Sequence, residues 1–489
     1  MMDFFIDGVP MQAEDGQTVI QAARANGVDI PHFCWHPELS VPGNCRICMV
    51  EIEQEGGEPW FDIACNMPVT AGMRVLLHSE KVKKLRKDTM QFITLNHPVD
   101  CGICNKSGEC TLQDYHYEHN GAASLSRDSK THATKFFPLS DRIMLDNERC
   151  IMCTLCVRFT HEVSKSHALG AVNRGDHALI RPAEDADFNN DQYSDNVIDL
   201  CPVGALLSRE LLDHARVWYL QPTPSVCPGC ERGCTVNIWH RKHEWKLNAL
   251  DPRLNTRIDR VTPLANPAVN GSWVCNKARD LAHLFERDRA EQTLINGTRA
   301  AISDGVAAIA RLIATAQRPV ALVSSWGSNE ELTAFKSFPG DRFTCFVKTD
   351  HRPTSGETIE DHLLIKPDKN PNRYAALALF PDAAPAVLPS TTDLVLVWGE
   401  GFAQADVPPG AKVIRLSAYA HPDNARADVF IPISIQTERA GHYTNFEGTV
   451  SSFAACFPVK PTVAHAESLF AAIGAALDPA AGMAGVQRS

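Results

Sequence analysis

The sequence predicts an α+β fold for about the first 280 residues and an α/β fold for the rest of the chain. Three features support this division. Fifteen of the 17 cysteines precede residue 276, the chain opens with a strand, turn, strand and helix pattern, and apolar runs alternate with helical patterns after residue 280. The first part is therefore expected to be organised around cysteine-rich loops, and the second around a sheet.

The composition indicates a globular protein of about three domains, since the chain has 489 residues, of which 44% are hydrophobic and 21% charged. The net charge of −11 and the lack of a long basic stripe in the sequence argue against a nucleic-acid partner. The nearest basic run, Lys81 to Lys87, is predicted to be the solvated face of a helix that turns Val82, Leu85 and Met90 inward.

No run of about 18 apolar residues occurs in the sequence, so no membrane-spanning segment is expected. The N-terminus lacks the basic and apolar segments of a secretory signal, which predicts a cytoplasmic chain with reduced thiols. An odd number of cysteines excludes complete disulfide pairing within the chain. Cysteines two residues apart in a reducing compartment indicate metal ligands.

The first cysteine group follows a short hairpin and a helix. Phe4 to Ile6 and Val9 to Met11 are predicted strands, and Thr18 to Asn26 is a predicted helix capped by Thr18 or by the Asp-Gly pair before it. With Met49 to Glu53 as a half-buried strand, this is the layout of a plant-type ferredoxin, a β-grasp fold. The spacing C-x10-C-x2-C-x16-C has a longer first gap than the common plant pattern, but it supplies four thiolates for a [2Fe–2S] cluster. The members of this group are Cys34, Cys45, Cys48 and Cys65.

The second group, Cys101, Cys104 and Cys110, leaves a four-iron cluster one ligand short. His97 lies four residues upstream, and Pro98 favours an extended backbone that could turn the imidazole towards the cysteines. From the residues themselves, His97 is either the missing ligand or a capping or core histidine.

The third and fourth groups each contain four cysteines. The third is a C-x2-C-x2-C run with a later Cys-Pro pair, typical of bacterial ferredoxins, and its members are Cys150, Cys153, Cys156 and Cys201. The fourth follows a proline-rich boundary, and its members are Cys227, Cys230, Cys234 and Cys275.

Zinc is an alternative for every group, because a zinc ion accepts four thiolates at similar spacings. Four groups in one chain favour redox centres, since a row of such centres can carry electrons, whereas four zinc ions would only cross-link the chain. Cys345 and Cys456 stand apart and are predicted to be small buried apolar residues.

Taken in order, the four groups resemble those of the large iron–sulfur subunit of bacterial NADH-quinone oxidoreductase, the 75-kDa subunit of complex I. The resemblance covers residues 1 to about 280, and its motifs are together highly specific. The matching stretches are Cys34-Trp35-His36-Pro37, Gly43-Asn44-Cys45-Arg46-Ile47-Cys48, His97-Pro98-Val99-Asp100-Cys101, Gly108-Glu109-Cys110 and Leu200-Cys201-Pro202-Val203-Gly204-Ala205-Leu206.

The resemblance implies that His97 is a ligand of the second cluster. It gives sixteen ligands for one [2Fe–2S] and three [4Fe–4S] clusters. The expected domains are a [2Fe–2S] domain over residues 1–78, a two-cluster domain over 79–219, a fourth-cluster domain over 220–280 and an α/β domain over 281–489.

The resemblance also implies a function, that of an electron-transfer subunit in the peripheral arm of NADH:quinone oxidoreductase. Electrons would enter from the flavin subunit that oxidises NADH, pass through the first three clusters and leave towards a ferredoxin-like subunit near quinone. The fourth cluster resembles one that lies off this route in some family members. The chain would lie at the cytoplasmic side of the bacterial inner membrane and have no catalytic site of its own.

The remainder of the chain carries no metal motif and is expected to form a mostly parallel sheet. Ile302 to Ala316 is a predicted helix, and Pro367 to Pro389 a predicted surface excursion. The predicted strands are Pro319 to Val323, Asp393 to Gly399 and Lys412 to Leu416.

This part resembles a reduced molybdopterin oxidoreductase domain. Cys275 to Arg279 is similar to the segment that closes the cluster in that superfamily, and Glu438 to Gly448 to a late motif of the 75-kDa subunit family. Only about 210 residues follow Cys275, and Cys345 lies in a context unlike a molybdenum-ligand loop. The domain is therefore expected to lack pterin.

A second hypothesis is the catalytic subunit of an NAD-linked molybdenum formate dehydrogenase, which shares the cluster-bearing front end. The short C-terminal part argues against it. An iron-only hydrogenase would need further cysteines after residue 280, where the sequence has two. No Rossmann or flavin motif is present, and Gly399-Glu400-Gly401 is too weak a pattern to indicate a nucleotide.

Overall fold

A computed structural model describes residues 1–183, 187–242, 255–337 and 342–477. The chain forms two compact units, an N-terminal unit, Met1–Tyr219, and a C-terminal unit, Leu220–Ser489. None of the helices in the described ranges combines the length and apolar character needed to cross a membrane.

The N-terminal unit begins with a five-stranded mixed sheet in the order β2-β1-β5-β3-β4, in which β1 and β5 are parallel. Its strands are β1 Met2–Ile6, β2 Val9–Ala13, β3 Met49–Glu53, β4 Trp60–Ile63 and β5 Arg74–Leu76. Helix α1, Val19–Ala25, buries its apolar side against this sheet, and the Gln21 side chain accepts a hydrogen bond from the Thr18 backbone N–H. The predicted hairpin, helix and Thr18 cap are confirmed.

Helix α2, Glu80–Thr94, follows the sheet and begins where Ser79 accepts a hydrogen bond from the Val82 N–H. Val82 and Met90 are buried as predicted. Leu85 is half-buried, and Arg86, which the pattern assigned to the solvated face, is buried instead because its guanidinium donates to the Met49 carbonyl.

The rest of the N-terminal unit consists of short elements joined by the cysteine loops. An antiparallel sheet in the order β10-β7-β6 and a β8–β9 hairpin provide its framework. The strands are β6 Phe137–Pro138, β7 Ile143–Leu145, β8 Leu169–Val172, β9 Leu179–Pro182 and β10 Leu206–Ser208. The helices are α3 Thr111–Tyr115, α4 Leu155–Glu162 and α5 Asn196–Leu200.

The C-terminal unit opens with a three-stranded antiparallel sheet that carries the fourth cysteine group. Its strands are β11 Leu220–Val226, β12 Thr235–Arg241 and β13 Ile258–Pro263, followed by the helices α6 Asn276–Arg279 and α7 Leu281–Phe285. The Gln436 side chain donates to Ser225 Oγ and to the Val226 carbonyl, so later residues of the unit pack against this sheet. The predicted boundary at residue 280 stays a prediction.

A seven-stranded sheet in the order β15-β14-β20-β19-β18-β16-β17 forms the main layer of the C-terminal unit. The five strands from β20 to β17 in this order are parallel, which confirms the predicted mostly parallel sheet. The strands are β14 Thr293–Ile295, β15 Thr298–Ala300, β16 Pro319–Val323, β17 Thr344–Val347, β18 Leu394–Trp398, β19 Lys412–Ser417 and β20 Val429–Pro432.

Helices and one hairpin complete the C-terminal unit. The helices are α8 Ile302–Thr315, α9 Asn329–Ser337, α10 Arg373–Leu379, α11 Pro422–Arg426 and α12 Ala466–Leu477, and the hairpin joins β21 Gly441–Thr444 to β22 Val450–Phe453. The prediction that Pro367 to Pro389 is a surface excursion is wrong for the first part of the segment, whereas residues 381–389 are mostly exposed as predicted. This segment contains α10, and Asn370, Asn372 and Ala376 in it are fully buried. The likeness to a molybdopterin oxidoreductase domain stays a prediction.

Candidate iron–sulfur centres

The first cysteine group is assembled at one end of the five-stranded sheet. Cys48 lies directly before β3 and Cys65 shortly after β4, so sheet pairing brings these two thiols within hydrogen-bonding distance of each other. Cys34 and Cys45 form a second such pair. Cys34, Cys48 and Cys65 are almost completely buried. The hydrogen bond from Cys45 lowers the pKa of Cys34 to about 6, while bonding to Cys34 and burial raise the pKa of Cys45.

The second group lies between α2 and α3. Burial and the charges of Cys104 and Cys101 raise the pKa of Cys110 to about 11, which places the three thiols near one another. The end of the N-terminal unit covers their loop, because Arg216 donates to the carbonyls of Cys104 and Gly102. Cys101 itself is exposed.

The imidazole of His97 has the properties expected of a neutral nitrogen ligand. Burial, followed by the nearby charges of Lys130 and Arg149, lowers the pKa of His97 to about 4, so the ring is uncharged at neutral pH. Its Nδ1 atom is buried without a hydrogen-bond partner among the described residues. These observations support the ligand hypothesis over a satisfied core histidine, and the assignment remains a prediction.

The third group surrounds a cavity of about 350 Å³. All four of its cysteines line this cavity, together with apolar side chains that include Leu145, Ile180 and Leu206. Burial raises the pKa of Cys150 to about 12, and burial and the neighbouring thiols raise the pKa values of Cys153 and Cys156. Cys201, distant in sequence from the other three cysteines, therefore completes the set of thiols that line this cavity.

The fourth group lies in the C-terminal unit, on the β11–β12 turn and at the start of α6. The Cys227 N–H donates to the Cys234 carbonyl over 2.8 Å, which closes the turn, and Cys275 precedes the first residue of α6. Burial and the charges of Cys275 and Cys230 raise the pKa of Cys227, and burial with the other three thiols raises that of Cys234. The four predicted ligands thus form one electrostatically coupled set.

The backbone in these loops is shaped around the cysteine sulfurs. The N–H groups of Met152 and Gly229 donate to Cys150 Sγ and Cys227 Sγ, each over 3.4 Å. Arg46, Met152 and Thr154 have φ values of 58°, 51° and 59°, a left-handed conformation that side chains other than glycine adopt at a cost of about 1–3 kcal/mol. Strained loops that aim N–H groups at sulfur are a feature expected around iron–sulfur clusters.

These residues fit iron–sulfur clusters chemically. In each group, neighbouring thiols and burial raise the pKa of at least one cysteine, and a bound cation removes that penalty by taking the thiolates as ligands; these cysteines are Cys48, Cys110, Cys153 and Cys234. Across the described ranges, no three His, Cys, Asp or Glu side chains converge closely enough to hold a single metal ion. The two remaining cysteines, Cys345 and Cys456, are half-buried, so the prediction that they are buried is wrong.

A second cavity, of about 540 Å³, lies in the C-terminal unit at the carboxyl ends of the parallel strands. Trp326, Asp350, His351 and Glu400 are among the residues that line it. Gly399, from the weak glycine pattern noted in the sequence, also lines it. Sequence patterns do not predict this cavity, because its lining comes from segments that are far apart in the sequence.

Three models of iron–sulfur protein families match parts of the first 207 residues of this chain. A model of a 2Fe-2S iron-sulfur cluster binding domain matches residues 1–80, and one of the NADH-ubiquinone oxidoreductase-G iron-sulfur binding region matches residues 86–123. A model of the ferredoxin-like domain of NADH-quinone oxidoreductase subunit 3 matches residues 140–207.

Curated relatives carry corresponding names. The G subunit of NADH-quinone oxidoreductase from Rickettsia typhi is 35% identical over 279 residues, which are 57% of this chain and 39% of the relative. The NADH-ubiquinone oxidoreductase 75 kDa subunit of Reclinomonas americana is 36% identical over 297 residues, 60% of this chain and 40% of the relative. This chain is a relative of the complex I 75-kDa subunit.

The similarity to the 75-kDa subunit is partial in extent, because the chain spans about two-fifths of the length of these relatives. The mitochondrial NADH dehydrogenase iron-sulfur protein 1 of Solanum tuberosum shows the same pattern, with 35% identity over 61% of this chain and 38% of its own length. A solved chain of the NAD+-reducing [NiFe]-hydrogenase in the H2-reduced state is 29% identical and covers 44% of this chain and 91% of its own, with a TM-score of 0.38.

Proposed function

We propose that this chain is the iron–sulfur electron-transfer subunit of an NADH:quinone oxidoreductase peripheral arm. It would receive electrons from a flavin subunit that oxidises NADH and pass them to a ferredoxin-like subunit on the way to quinone. When bound, one [2Fe–2S] and three [4Fe–4S] clusters supply the one-electron carriers. The chain's own residues hold these carriers, space them and shield them from water.

The observation that carries the proposal is the direct connection between cysteine groups within the N-terminal unit. A Cβ placed on Gly204, in the motif of the third group, would lie 2.2 Å from Cys104 Sγ of the second group. The Thr111 N–H, next to Cys110, donates to the Pro202 carbonyl, next to Cys201, over 3.0 Å. The second and third groups are therefore held in immediate contact.

The first group is joined to the third in a similar way. The Asn44 side chain, beside Cys45, donates to the Met152 carbonyl, beside Cys153, over 3.0 Å. Because the third group contacts both others, we infer the order first, third and second for electron transfer. This order differs from the order of the groups in the sequence.

The surface around the second group supports an exit point there. Cys101 is exposed, and the apolar side chains of Val99 and Ile103, each two residues away in the sequence, are 90% and 69% exposed. A cluster of exposed apolar side chains beside a redox site suits contact with a protein partner. We assign this surface to the carrier that accepts electrons from the chain.

The fourth group has a less defined role in this proposal, because it belongs to the C-terminal unit. We assign to it a [4Fe–4S] cluster outside the route through the first three groups. The C-terminal α/β sheet is assigned a structural role without pterin, and the chain a place peripheral to the membrane, on its cytoplasmic side.

Anaerobic metal analysis of the purified full chain, combined with EPR after dithionite reduction, tests this function. We expect about 14 irons per chain, no molybdenum, and one [2Fe–2S] signal among [4Fe–4S] signals. Stoichiometric molybdenum would instead place the chain with the NAD-linked formate dehydrogenases. Four zinc ions and a colourless protein would end the electron-transfer hypothesis.

A further inference from the structure

Helix α4 connects the third cysteine group to the loop of the first. It begins between Cys153 and Cys156, so its first turn belongs to the third group. Thr154, Arg158 and Glu162 are spaced four residues apart and therefore share one face of the helix. Arg158 and Glu162 on this face contact the loop that follows Cys34.

The guanidinium of Arg158 bonds to both groups. Its Nη2 atom donates to the Cys34 carbonyl over 2.5 Å and to the Cys153 carbonyl over 3.3 Å, and its Nη1 atom donates to the Ser40 carbonyl over 2.5 Å. Its Nε atom is 3.3 Å from Thr154 Oγ1. One planar fork thus joins the backbones of two predicted cluster ligands, a geometry that a lysine ammonium does not reproduce.

Glu162 adds a second attachment one turn further along. Its carboxylate accepts from the Ser40 N–H over 2.8 Å and from Ser40 Oγ over 2.5 Å. Ser40 is therefore held through its carbonyl by Arg158 and through its N–H and hydroxyl by Glu162. The loop after Cys34 cannot move relative to α4 without breaking these bonds.

The positive charge of Arg158 acts on thiols of both groups. It favours the thiolate of Cys34, and it interacts with Cys153 and Cys156 of the third group. The negative charge of Glu162 lies near the same guanidinium and opposes it in part. Arg158 is half-buried, so solvent screens its charge less than that of an arginine on the open surface.

We propose that Arg158 is a positioning residue shared by the first and third groups, which fixes their separation and raises the reduction potentials of both clusters together. The inference rests on the proposed function, since it presumes clusters in these two groups. Reduction of either cluster adds one electron, supplied from the flavin side, and one negative charge, with no proton required. A fixed cation beside both sites stabilises that added charge.

A shared cation has a consequence for electron transfer between the two groups. Because it shifts both potentials in the same direction, it makes both clusters easier to reduce and changes the difference between their potentials little. A residue with only a structural role would hold the loops together but leave both potentials unchanged. The reduction potentials of the first and third clusters therefore distinguish an electrostatic role of Arg158 from a purely structural one.

The test compares the full-length, cluster-loaded wild type with R158Q, R158K and E162Q. Iron content, thermal unfolding and EPR-monitored redox titrations of each cluster signal are measured for the wild type and for every variant. In R158Q we expect the reduced-to-oxidised ratio of the first and third clusters, at a fixed potential, to fall about tenfold, a shift of about 59 mV for one electron. The signals of the second and fourth clusters should keep their potentials.

The other variants separate charge from position. R158K keeps the charge but loses the fork, so we expect smaller potential shifts with a lower thermal unfolding midpoint. E162Q removes a negative charge from the same face, so both potentials should rise. R74Q, which removes an exposed arginine on β5 of the N-terminal unit, serves as a control and should shift neither.

The outcomes distinguish this inference from the proposed function. Wild-type protein without iron contradicts the proposed function and the inference with it. A loaded wild type with unchanged potentials in R158Q, or with only one shifted cluster, overturns the inference and leaves the function intact. If R158Q fails to load iron, the inference is tested with E162Q. Unchanged potentials of the first and third clusters in E162Q would also overturn the inference.

Discussion

His97 differs from the fifteen cysteines in the charge that it would bring to a cluster. A thiolate contributes one negative charge, whereas the imidazole, with its pKa lowered by burial to about 4, contributes none. A cluster with one neutral ligand carries less negative charge and accepts an electron more readily. In the proposed assignment, the residue type at position 97 therefore sets the potential of the second cluster, which we place last on the route.

The substitution H97C tests this role. We expect the second cluster to be retained and its potential to fall by on the order of 100 mV, since two imidazoles separate Rieske from plant-type centres by about 250 mV or more. Redox titration monitored by EPR, with iron analysis, measures both quantities. Unchanged iron together with an unchanged potential would show that His97 is not a ligand.

Asp350 is a second residue whose charge matters, in this case for the stability of the C-terminal unit. Its carboxylate is paired with the Lys348 ammonium, and the two side chains are only 2% and 3% exposed. It also accepts from the N–H groups of Ser325 and Glu400, over 2.8 and 3.0 Å. Burial lowers the pKa of Lys348, and the charge of Asp350 counteracts that effect.

We expect D350N to destabilise the C-terminal unit by about 3–5 kcal/mol, because it leaves the Lys348 charge buried without its partner. Far-UV circular dichroism during thermal unfolding measures the loss. The matched control is E291Q, which breaks an ion pair with Lys460 whose side chains are 41% and 54% exposed, and which should cost less than about 1 kcal/mol. Equal losses in the two variants would contradict the argument.

At the scale of elements, the contact between loops depends on a residue without a side chain. Gly204 belongs to the Cys-Pro-Val-Gly motif of the third group, and its backbone approaches the Cys104 sulfur so closely that a methyl group has no room. The neighbours on that side are Lys106 and the buried Arg149. The second and third groups can be adjacent because of this glycine.

We therefore expect G204A to displace Cys104 and reduce the iron of the second cluster, with the third affected less. G102A is the matched control, since a Cβ on Gly102, between Cys101 and Cys104, meets nothing within 4 Å. Iron content and the EPR signal of the second cluster provide the measurement. Full occupancy in G204A would mean that the loops have more freedom than their contacts indicate.

The cysteine motifs and the strand and helix patterns made much of this arrangement predictable at the element scale. The spacing of the cysteines indicates which thiols can bind the same cluster, and the apolar periodicity predicts helix α1 and the parallel strands. What the patterns missed depends on contacts between segments far apart in sequence. Arg86 and Arg158 look like ordinary helix-surface residues until the carbonyls of Met49 and Cys34 are placed beside them.

Composition was misleading for the first part of the segment from Pro367 to Pro389. Proline and alanine there suggested an exposed loop, yet Asn370 accepts from the backbone N–H groups of Asp350 and His351 and is fully buried. Tertiary hydrogen bonds to a side chain leave no local signal in composition. The cavity in the C-terminal unit went unpredicted for the same reason.

At the scale of the whole molecule, the division after Tyr219 separates three cysteine groups from the fourth. Arg216 and Trp218, near the end of the N-terminal unit, pack on the loop of the second group, so this unit includes the cover of its own sites. A fragment of residues 1–219 retains the contacts within these three groups.

We expect that fragment to fold and to hold about ten irons. The fragment is compared with the full chain that carries the substitution C227S. This variant should lose the fourth cluster and keep the same number of irons as the fragment. Matching EPR spectra of the fragment and the variant would show that the N-terminal unit is autonomous. Substantially less iron in the fragment would mean that the C-terminal unit is needed to form the first three sites.

The exposure of Cys101 has a further consequence for how oxidation damages the protein. All fifteen predicted cysteine ligands lie in the described ranges, and the others are buried or half-buried. Dioxygen and oxidants reach thiolates in proportion to their exposure. The exposed surface around Cys101, where we propose that a partner accepts electrons, is therefore also the surface through which dioxygen reaches the second group. We expect oxidation to destroy the second cluster first, which is the last on the proposed route. The remaining protein would be brown and partly loaded with iron, and it would still accept electrons but could not pass them on.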